Sequence, residues 1–386
     1  MSTVEAKIVK AFKIEHHPSA DRLDVITMNG AGGYLCIVGR NQFTIDDLLL
    51  YIEPNALLPE VIMAELRKNK IQMSSNRLKA IKIRGVLSEG LVLDPKQFLE
   101  PKDIKLGKNV NEILDITKYE PPQEVKMNKS GFFPYQKQYE NNFFRKYTDI
   151  EPFKKYPGIF EDNDEVVATK KMHGTNSRFY YGIKANFKRS IWRKIADFIL
   201  RRKEEFLVGS HNKIRTIPRR GDLTKFFGAS GDVYWRIAKK YDIENLIKNL
   251  YRTIKEANPD TKSISIYGEV IGPNIQSGYE YGIPAGDLEL RLFDIQIDGE
   301  YQDWDDVVAW SKYFKIDTVE EAYRGPWNID LLSLCEAVDE YGGKKYNREG
   351  VVIKTIKNQM HNHYGRKIVK VINPAYTLDS KNSENK

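Results

Sequence analysis

The sequence predicts an α+β fold with two domains, and three observations lead to this prediction. Short apolar segments separated by turn residues fill residues 6–95, strands and helices mix in the later part of the chain, and a polar stretch lies between them. With 386 residues, the chain is longer than one ordinary domain, which usually holds about 100 to 200 residues. We therefore expect a first domain over residues 1–105, a linker over 106–143 and a second domain over 144–386.

The first domain is predicted to contain only strands. Its segments alternate apolar and polar residues and are separated by Gly, Asn, Asp and Pro; they are AKIVKAFKI, RLDVITM, GYLCIVG, LKAIKIRG and SEGLVLD. This pattern is typical of a small β-barrel or β-sandwich. The following stretch contains Pro121, Pro122 and Pro134 without a sustained period, which predicts a linker.

The second domain is predicted to consist of antiparallel sheets with flanking helices. Its strand segments mostly allow hairpin pairing; they are EVVAT, SRFYYGI, FLVGS, SISIYGEV, LELRLFDIQI, REGVVIKTI and RKIVKVI. Apolar residues at helical spacing follow Asp242 and end before Pro259, and a second helical pattern covers residues 330–340.

The composition excludes some classes of protein. Hydrophobic residues make up 41% and charged residues 30%, which excludes a mostly disordered chain. The N-terminus lacks the apolar run of a signal peptide, and no apolar stretch approaches the ~18 residues of a membrane span. Cys36 and Cys335 are far apart and expected to be reduced, and no Cys and His spacing fits a structural zinc site. We expect a cytoplasmic protein without a membrane partner, in the host-cell cytoplasm if the source is viral.

The charge favours a polyanionic partner. The chain has 61 Lys and Arg against 53 Asp and Glu, a net charge of +8. Residues 184–203 contain eight basic residues and a single acid, Asp197, and their apolar residues fall on one helical face. This basic segment is open to three interpretations: a solvated helix packed by its apolar face, a nucleic-acid contact, or a helix at a membrane surface.

A candidate nucleophile lies in the segment Lys171-Met172-His173-Gly174-Thr175-Asn176, directly after a predicted strand. A lysine amine is nucleophilic when neighbouring cations or desolvation keep it deprotonated, and a nearby glycine lets the backbone approach a phosphate. Taken alone, the segment also fits an ordinary turn.

Four further segments follow in order: Tyr-Gly-Glu269 with GPNIQ, Leu-Phe293-Asp, REGVVIK with Glu349 and Lys354, and KIVK ending at Lys370. This ordered series resembles the covalent nucleotidyltransferases, the superfamily of ATP-dependent ligases and RNA capping enzymes. The resemblance implies these roles: nucleophile, Lys171; nucleotide binding, His173 and Gly174; ribose or metal binding, Glu269 and Glu349; adenine stacking, Phe293; phosphate binding, Lys354 and Lys370.

Within that superfamily, KMHGTN and GExxGPxIQ look like the nick-sealing RNA ligases. Residues 17–25 (HPSADRLDV) and 84–91 (RGVLSEGL) resemble OB folds that bind tRNA, and residues 144–150 (FRKYTDI) resemble an RNA ligase branch with an OB domain before the nucleotidyltransferase domain. The resemblance implies an N-terminal OB-type β-barrel.

The resemblance also implies an activity and a substrate. It implies an ATP-dependent ligase, with Mg²⁺ or Mn²⁺, that seals 3′-OH/5′-phosphate nicks through a lysyl-adenylate and an adenylylated 5′-phosphate. The expected partner is nicked RNA or an RNA/DNA duplex, with tRNA as a further candidate, held by Asn176, Arg145 and Lys146; no protein partner is predicted.

Two alternatives stay open. A GTP-dependent mRNA capping guanylyltransferase would use the same lysine, and a non-catalytic tRNA- or RNA-binding protein would use only the OB domain. Only 16 residues follow Lys370, fewer than the C-terminal OB domain of DNA ligases and capping enzymes needs, which favours an RNA ligase. Ile372 departs from the pattern, because many relatives have a second lysine there.

Overall fold

The protein is represented by a computed structural model that describes residues 4–28, 30, 32–71, 73–119, 141–184, 203–215, 231–276 and 278–378. Two compact units are present: within these ranges, the first takes in the chain up to residue 119 and Asp149–Phe160, and the second takes in residues 141–148 and 161–378. Most of the predicted linker (120–140) and of the basic segment (185–202) lies outside the described residues. No helix in the described ranges is long and apolar enough to cross a membrane.

The first unit is built almost entirely from short antiparallel strands. Its elements are β1 (Ala6–Val9), β2 (Ala11–His16), β3 (Leu23–Met28), β4 (Leu35–Gly39), β5 (Leu49–Ile52), β6 (Ala56–Leu57), β7 (Ile81–Ile83), β8 (Val86–Ser88), β9 (Leu91–Leu93), β10 (Thr117–Lys118), α1 (Glu60–Lys68), α2 (Asn111–Leu114) and the 3₁₀ turns Pro95–Gln97, Pro101–Asp103 and Phe153–Lys155. The hydrogen-bonded strand orders are β1-β5-β9, β2-β3-β4, β7-β8 and β6-β10.

Alternation along the strands places the core of this unit. In β3 every second residue is buried, so Ile26 and Met28 pack with Cys36 of β4 and Tyr51 of β5. The unit continues past residue 105, because the N–H of Val110 donates to the carbonyl of Ala6 at 2.8 Å and β10 pairs with β6. The first part of the predicted linker therefore forms α2 and β10.

The second unit contains two larger antiparallel sheets with helices beside them. Its elements are β11 (Glu165–Lys170), β12 (Thr175–Ile183), β13 (Glu204–Ser210), β14 (Ile214–Arg215), β15 (Ser263–Ile271), β16 (Glu289–Ile297), β17 (Glu300–Tyr301), β18 (Glu321–Pro326), β19 (Val338–Tyr341), β20 (Lys344–Asn347), β21 (Gly350–Thr355), β22 (Met360–His361), β23 (Gly365–Arg366), β24 (Ile368–Ile372), α3 (Val233–Lys240), α4 (Ile243–Ala257), α5 (Trp304–Phe314), α6 (Pro374–Leu378) and the 3₁₀ helix Ile329–Glu336. The α+β prediction is confirmed.

The two sheets have the strand orders β18-β11-β21-β24 and β14-β13-β12-β15-β16-β17. Val167 of β11 belongs to the same buried core as Phe179 of β12 and Ile266 of β15, so the four-stranded sheet packs on the six-stranded one. Because β11 and β12 are consecutive in the chain, residues 171–174 connect the two sheets. We call these residues the Lys171 loop.

The helix predictions were correct in one place and wrong in another. The apolar pattern after Asp242 forms α4, with Ile247 and Leu250 buried, although the Asp242 carboxylate accepts from the Asn245 side chain rather than from a backbone N–H of the helix. Residues 330–340 do not form one helix. Residues 330–336 belong to the 3₁₀ helix Ile329–Glu336, and residues 338–340 belong to β19, because Gly342 and Gly343 adopt positive φ angles and turn the chain into a β19–β20 hairpin.

Candidate active site

The Lys171 loop holds its lysine against a buried carboxylate. The N–H of Lys171 donates to the carbonyl of Gly350 at 3.0 Å, which attaches the loop to the start of β21. Its Nζ donates to Oε1 of Glu349, the residue before that strand. The Lys171 side chain is 30% exposed, whereas that of Glu349 is only 4% exposed. The amine is therefore both ion-paired and accessible from solvent.

Glu349 is ionised and has one unused acceptor. Burial raises the pKa of Glu349, but Lys171 and, to a smaller extent, His173 together outweigh this and hold the pKa below its ordinary value. Its second oxygen, Oε2, has no hydrogen-bond partner among the residues that the structure describes. A buried acceptor without a partner fits a site that a ligand hydroxyl or a metal-bound water would complete.

Gly174 is required by close packing. A Cβ at this position would lie 2.8 Å from Cγ of Glu269 and would also clash with the carbonyl oxygen of Val270, so no larger side chain fits. The carbonyl of Gly174 accepts a 2.6 Å hydrogen bond from Nε2 of Gln276. The glutamine of the GPNIQ segment thus holds the end of the Lys171 loop.

Glu269 and Asn176 face the same site from the six-stranded sheet. They are directly opposite each other in the β12–β15 pairing, so both side chains point to one face. Burial raises the pKa of Glu269 to about 8, although part of its side chain remains accessible, and the charge of Lys171 opposes this shift. Oδ1 of Asn176 is buried and lacks a hydrogen-bond partner in the described part of the chain.

These residues fit a divalent cation that arrives with its waters. In the described ranges no group of three or more His, Cys, Asp or Glu could hold a metal ion by protein ligands alone. Two carboxyl groups and an amide oxygen, with unused acceptors at Glu349 Oε2 and Asn176 Oδ1, are nevertheless the hard ligands that Mg²⁺ or Mn²⁺ prefers, and Mg²⁺ usually keeps several waters and binds through substrate phosphates. We would place such an ion near Glu349 and Glu269.

Lys354 lies in a buried ion pair. Its Nζ donates to the carbonyl of Phe293 at 3.0 Å, lies 3.4 Å from Oδ2 of Asp294 and sits 4.5 Å from the centre of the Trp304 ring. Burial lowers the pKa of Lys354 to about 8, although Asp294 opposes this shift. The structure therefore gives Lys354 protein partners beside Phe293, and its phosphate-binding role stays a prediction.

Asp294 is the centre of this network and is fully buried. Its Oδ2 accepts hydrogen bonds from Tyr147 Oη at 2.8 Å and from Arg366 Nη1 at 2.6 Å. Burial raises the pKa of Asp294, but Lys354 and Arg366 outweigh this and hold it below its ordinary value. The Tyr147 ring packs edge-on against Phe293 with centroids 4.8 Å apart, so the network fixes the predicted adenine-stacking ring.

The remaining predicted residues take two kinds of position. Lys370 pairs with Val352 in the β21–β24 register, which puts it on the same sheet face as Lys354, two residues along. Arg145 and Lys146 are exposed, and Nζ of Lys146 donates to Oδ1 of Asn212 at 3.1 Å. The structure thus brings Lys171, Glu269, Glu349 and Asn176 together, and leaves Arg145 and Lys146 at the surface.

His173 is buried among tyrosines that sequence reasoning missed. Its N–H donates to Tyr281 Oη at 2.6 Å, and its Nδ1 lies 2.7 Å from Tyr376 Oη. Tyr281 has a positive φ of 55°, a conformation that a non-glycine residue rarely adopts and that often marks a functional site. The spacing of the tyrosines in the sequence gives no sign of this cluster, whereas the φ angle of Tyr281 in the structure marks it.

A family model for RNA ligases matches residues 164–372, more than half of the chain. The chain belongs to the RNA ligase family. A model of an OB-fold domain matches residues 5–95, which confirms the predicted N-terminal OB domain of this RNA ligase family member.

Solved structures show the same fold. A mutant of the Naegleria gruberi RNA ligase with AMP and Mn has a TM-score of 0.67 and 22% sequence identity, covering 96% of this chain and 97% of that chain. Another mutant of that ligase, with ATP and Mn, has a TM-score of 0.66 and 21% identity, covering 98% of each chain.

A curated relative matches over a shorter stretch. The phenylalanine–tRNA ligase beta subunit of Clostridium tetani is 28% identical over 120 residues. The match covers 28% of this chain and 13% of the length of that relative.

Proposed function

We propose that this RNA ligase family member is an ATP-dependent enzyme that seals 3′-OH/5′-phosphate nicks in RNA through a lysyl-adenylate. The observation that carries the proposal is the ion pair between the accessible Nζ of Lys171 and the buried Glu349, in a loop that connects the two sheets. The similar Naegleria structures hold ATP or AMP together with Mn, which supports ATP and a divalent cation as cofactors here.

In the first step Lys171 Nζ attacks the α-phosphorus of ATP. The Lys171 ammonium, which the Glu349 carboxylate stabilises before ATP binds, first loses a proton to solvent; the amine then forms a nitrogen–phosphorus bond, the bond to pyrophosphate breaks, and the second proton of the nitrogen leaves to pyrophosphate or solvent. Phe293 offers a ring face to adenine, a contact of about 1–3 kcal/mol in base–aromatic stacking. A bound Mg²⁺ or Mn²⁺ would supply positive charge at the phosphate oxygens. Positioning and charge stabilisation are the main contributions of the protein.

In the second and third steps AMP passes from Lys171 to the 5′-phosphate at the nick, and the adjacent 3′-OH then attacks this phosphate and releases AMP. Asn176 lies beside Glu269 and is suited to contact the nick, while the exposed Arg145 and Lys146 are suited to the phosphate backbone. The substrate we propose is nicked RNA or an RNA/DNA duplex. The OB domain is a second place where RNA, including tRNA, would bind.

The test is transfer of label from α-labelled ATP or GTP to the protein, in the presence of Mg²⁺ or Mn²⁺, followed by denaturing electrophoresis. We expect label from ATP on the wild type and none on Lys171→Ala. Lys312→Ala, at an exposed position of α5, is the matched lysine control and should keep its label.

Each of the other outcomes would support a different function. Label from GTP but not ATP would indicate a capping guanylyltransferase, and no label on a folded, metal-supplied wild type would favour the non-catalytic RNA-binding alternative. Comparing how fast nicked RNA is joined on an RNA template and on a DNA template then identifies which duplex is the substrate.

A further inference from the structure

We propose that Tyr376 is a positioning residue, whose hydroxyl donates a hydrogen bond to His173 Nδ1 and thereby keeps the second oxygen of Glu349 open for the ligand. Tyr376 lies in α6, beyond the residues that the RNA ligase family model matches. The role assigned to Glu349 rests on the proposed function, whereas the hydrogen bond between Tyr376 and His173 does not.

His173 is held at two points, one on its imidazole and one on its backbone. Tyr376 Oη is 2.7 Å from Nδ1, and the two rings meet edge-on with centroids 5.5 Å apart. Tyr281 Oη accepts the backbone N–H of His173 at 2.6 Å. Tyr376 is 2% exposed and His173 3% exposed, so water does not compete for these contacts. A buried hydrogen bond of this kind selects one arrangement of the ring.

The distances around Nδ1 indicate which atom carries the proton. Oε2 of Glu349 is 3.6 Å from the same nitrogen, which is too far for a hydrogen bond. A carboxylate is a stronger acceptor than a phenol oxygen, so an Nδ1–H donor located between the two would form its hydrogen bond with Glu349. The nitrogen instead lies close to the tyrosine. This geometry fits a hydroxyl that donates to Nδ1, with the proton of the neutral imidazole on Nε2, a buried nitrogen to which the described residues offer no acceptor.

The consequence falls on Glu349. Its Oε1 accepts from Lys171, while its Oε2 has no hydrogen-bond partner within the described residues. In the proposed reaction this free oxygen receives a ribose hydroxyl or a metal-bound water. Without the Tyr376 hydroxyl, His173 would adopt the Nδ1–H tautomer and donate to Oε2, so that the ligand would have to displace it.

The first experiment measures the tautomer directly. The full chain is labelled with ¹⁵N-histidine and examined by NMR without nucleotide or metal, and the signals of His173 are identified by their loss in His173→Gln. We expect the Nε2–H tautomer in the wild type and the Nδ1–H tautomer in Tyr376→Phe. The wild-type spectrum alone shows whether Tyr376 donates to His173, even if the variant fails to fold. An Nδ1–H or doubly protonated His173 in the wild type would overturn the proposal.

The second experiment measures lysyl-adenylate formation as a function of ATP concentration. For Tyr376→Phe we expect the half-saturating ATP concentration to rise about tenfold and the maximal rate to stay within about twofold, because the variant blocks a ligand contact rather than the nucleophile. Tyr323→Phe is the matched control, since it removes a hydroxyl that donates to the carbonyl of Pro326 on an exposed strand.

The two measurements separate the two proposals. An unchanged half-saturating concentration in Tyr376→Phe, with the tautomer shifted, would overturn the role assigned to Glu349. A wild type that takes no label would overturn the proposed function, while the NMR result would still report on the Tyr376–His173 hydrogen bond.

Discussion

At the scale of single residues, the candidate site residues could be named from the sequence, whereas the residues that contact and support them could not. Lys171 and Glu349 belong to short segments with a recognisable order, so the sequence predicts both, and the structure brings them into contact. Tyr376 is 203 residues from His173 in the chain, and Arg366 is 72 residues from Asp294. Such contacts depend on strand pairing and leave no local pattern.

Gly174 gives a prediction at this scale. Gly174→Ala places a methyl group against Val270 and Glu269, so the Lys171 loop must shift. We expect a loss of about 1–3 kcal/mol in the free energy of unfolding, as for overpacked cores, and at least a tenfold slower lysyl-adenylate formation. Denaturant unfolding and the labelling assay measure these effects. Gly158→Ala, where a Cβ meets nothing within 4 Å, is the control and should change neither.

Glu53 gives a prediction about pH. Burial raises the pKa of Glu53 to about 7, above the 4.5 of an exposed glutamate, although Lys155 at 3.8 Å opposes this shift. The folded state therefore binds the carboxyl proton of Glu53 more tightly than the unfolded state does. The stability that this proton contributes is fully present below pH 4.5 and is lost as the pH rises through 7. We expect Glu53→Gln to lose less thermal stability than the wild type between pH 5 and pH 8.

The measurement is the melting temperature of both proteins across that range, where each kcal/mol corresponds to about 2–4 °C. Glu60→Gln, at an exposed position in α1, should follow the wild type. Parallel curves for wild type and Glu53→Gln would contradict the assignment of a raised pKa to this carboxyl.

At the scale of elements, alternation identified the strands well, and turns decided where it failed. The segments EVVAT and REGVVIKTI became β11 and β21, paired as neighbours. Residues 330–340 have apolar residues at helical spacing, yet two glycines with positive φ direct β19 into a hairpin. The spacing of apolar residues fits a helix here, but it does not show that the turn that follows will favour a strand instead.

The buried network around Asp294 links several elements, and it gives the next prediction. Asp294→Asn leaves Lys354 and Arg366 as buried cations without a counter-charge, so we expect it to cost about 3–5 kcal/mol of unfolding free energy. Lys354→Met should cost less, because Asp294 keeps Arg366 and Tyr147 as partners. Chemical denaturation of both variants tests this order, and an equal or smaller loss for Asp294→Asn would be inconsistent with it.

At the scale of the whole molecule, the order of the motifs predicted the family, and residues 17–25 and 84–91 predicted the OB domain; both predictions are confirmed. Which stretches of the chain belong to which unit was not predictable from the sequence. Residues 107–118 complete the first unit by pairing with β1 and β6, and Asp149–Phe160 return to it. A polar, aperiodic segment does not show in its sequence which surface it will join.

Net charge provides the last prediction. The positive surplus of residues 184–203 should make RNA binding depend on salt through this segment. Replacing Lys188, Arg189, Arg193 and Lys194 by Gln should lower the slope of log affinity against log salt by about 3, since each phosphate contact contributes about 0.7–0.9. Neutralising the exposed Lys312 and Lys315 is the control.

An unchanged slope in the four-residue variant would mean that these charges face solvent. The labelling assay should be unaffected in either case, because lysyl-adenylate formation requires no RNA.

The alternating assignment of the chain also limits how the two units can be separated. Residues 141–148 belong to the second unit and supply Tyr147 to its Asp294 network, while residues 149–160 belong to the first and supply Lys155 to Glu53. A single cut on either side of residues 141–160 leaves one of these contacts without its partner. Gene fusion or recombination at one junction therefore cannot exchange the OB domain cleanly, and a swap has to carry residues 149–160 along with the first unit.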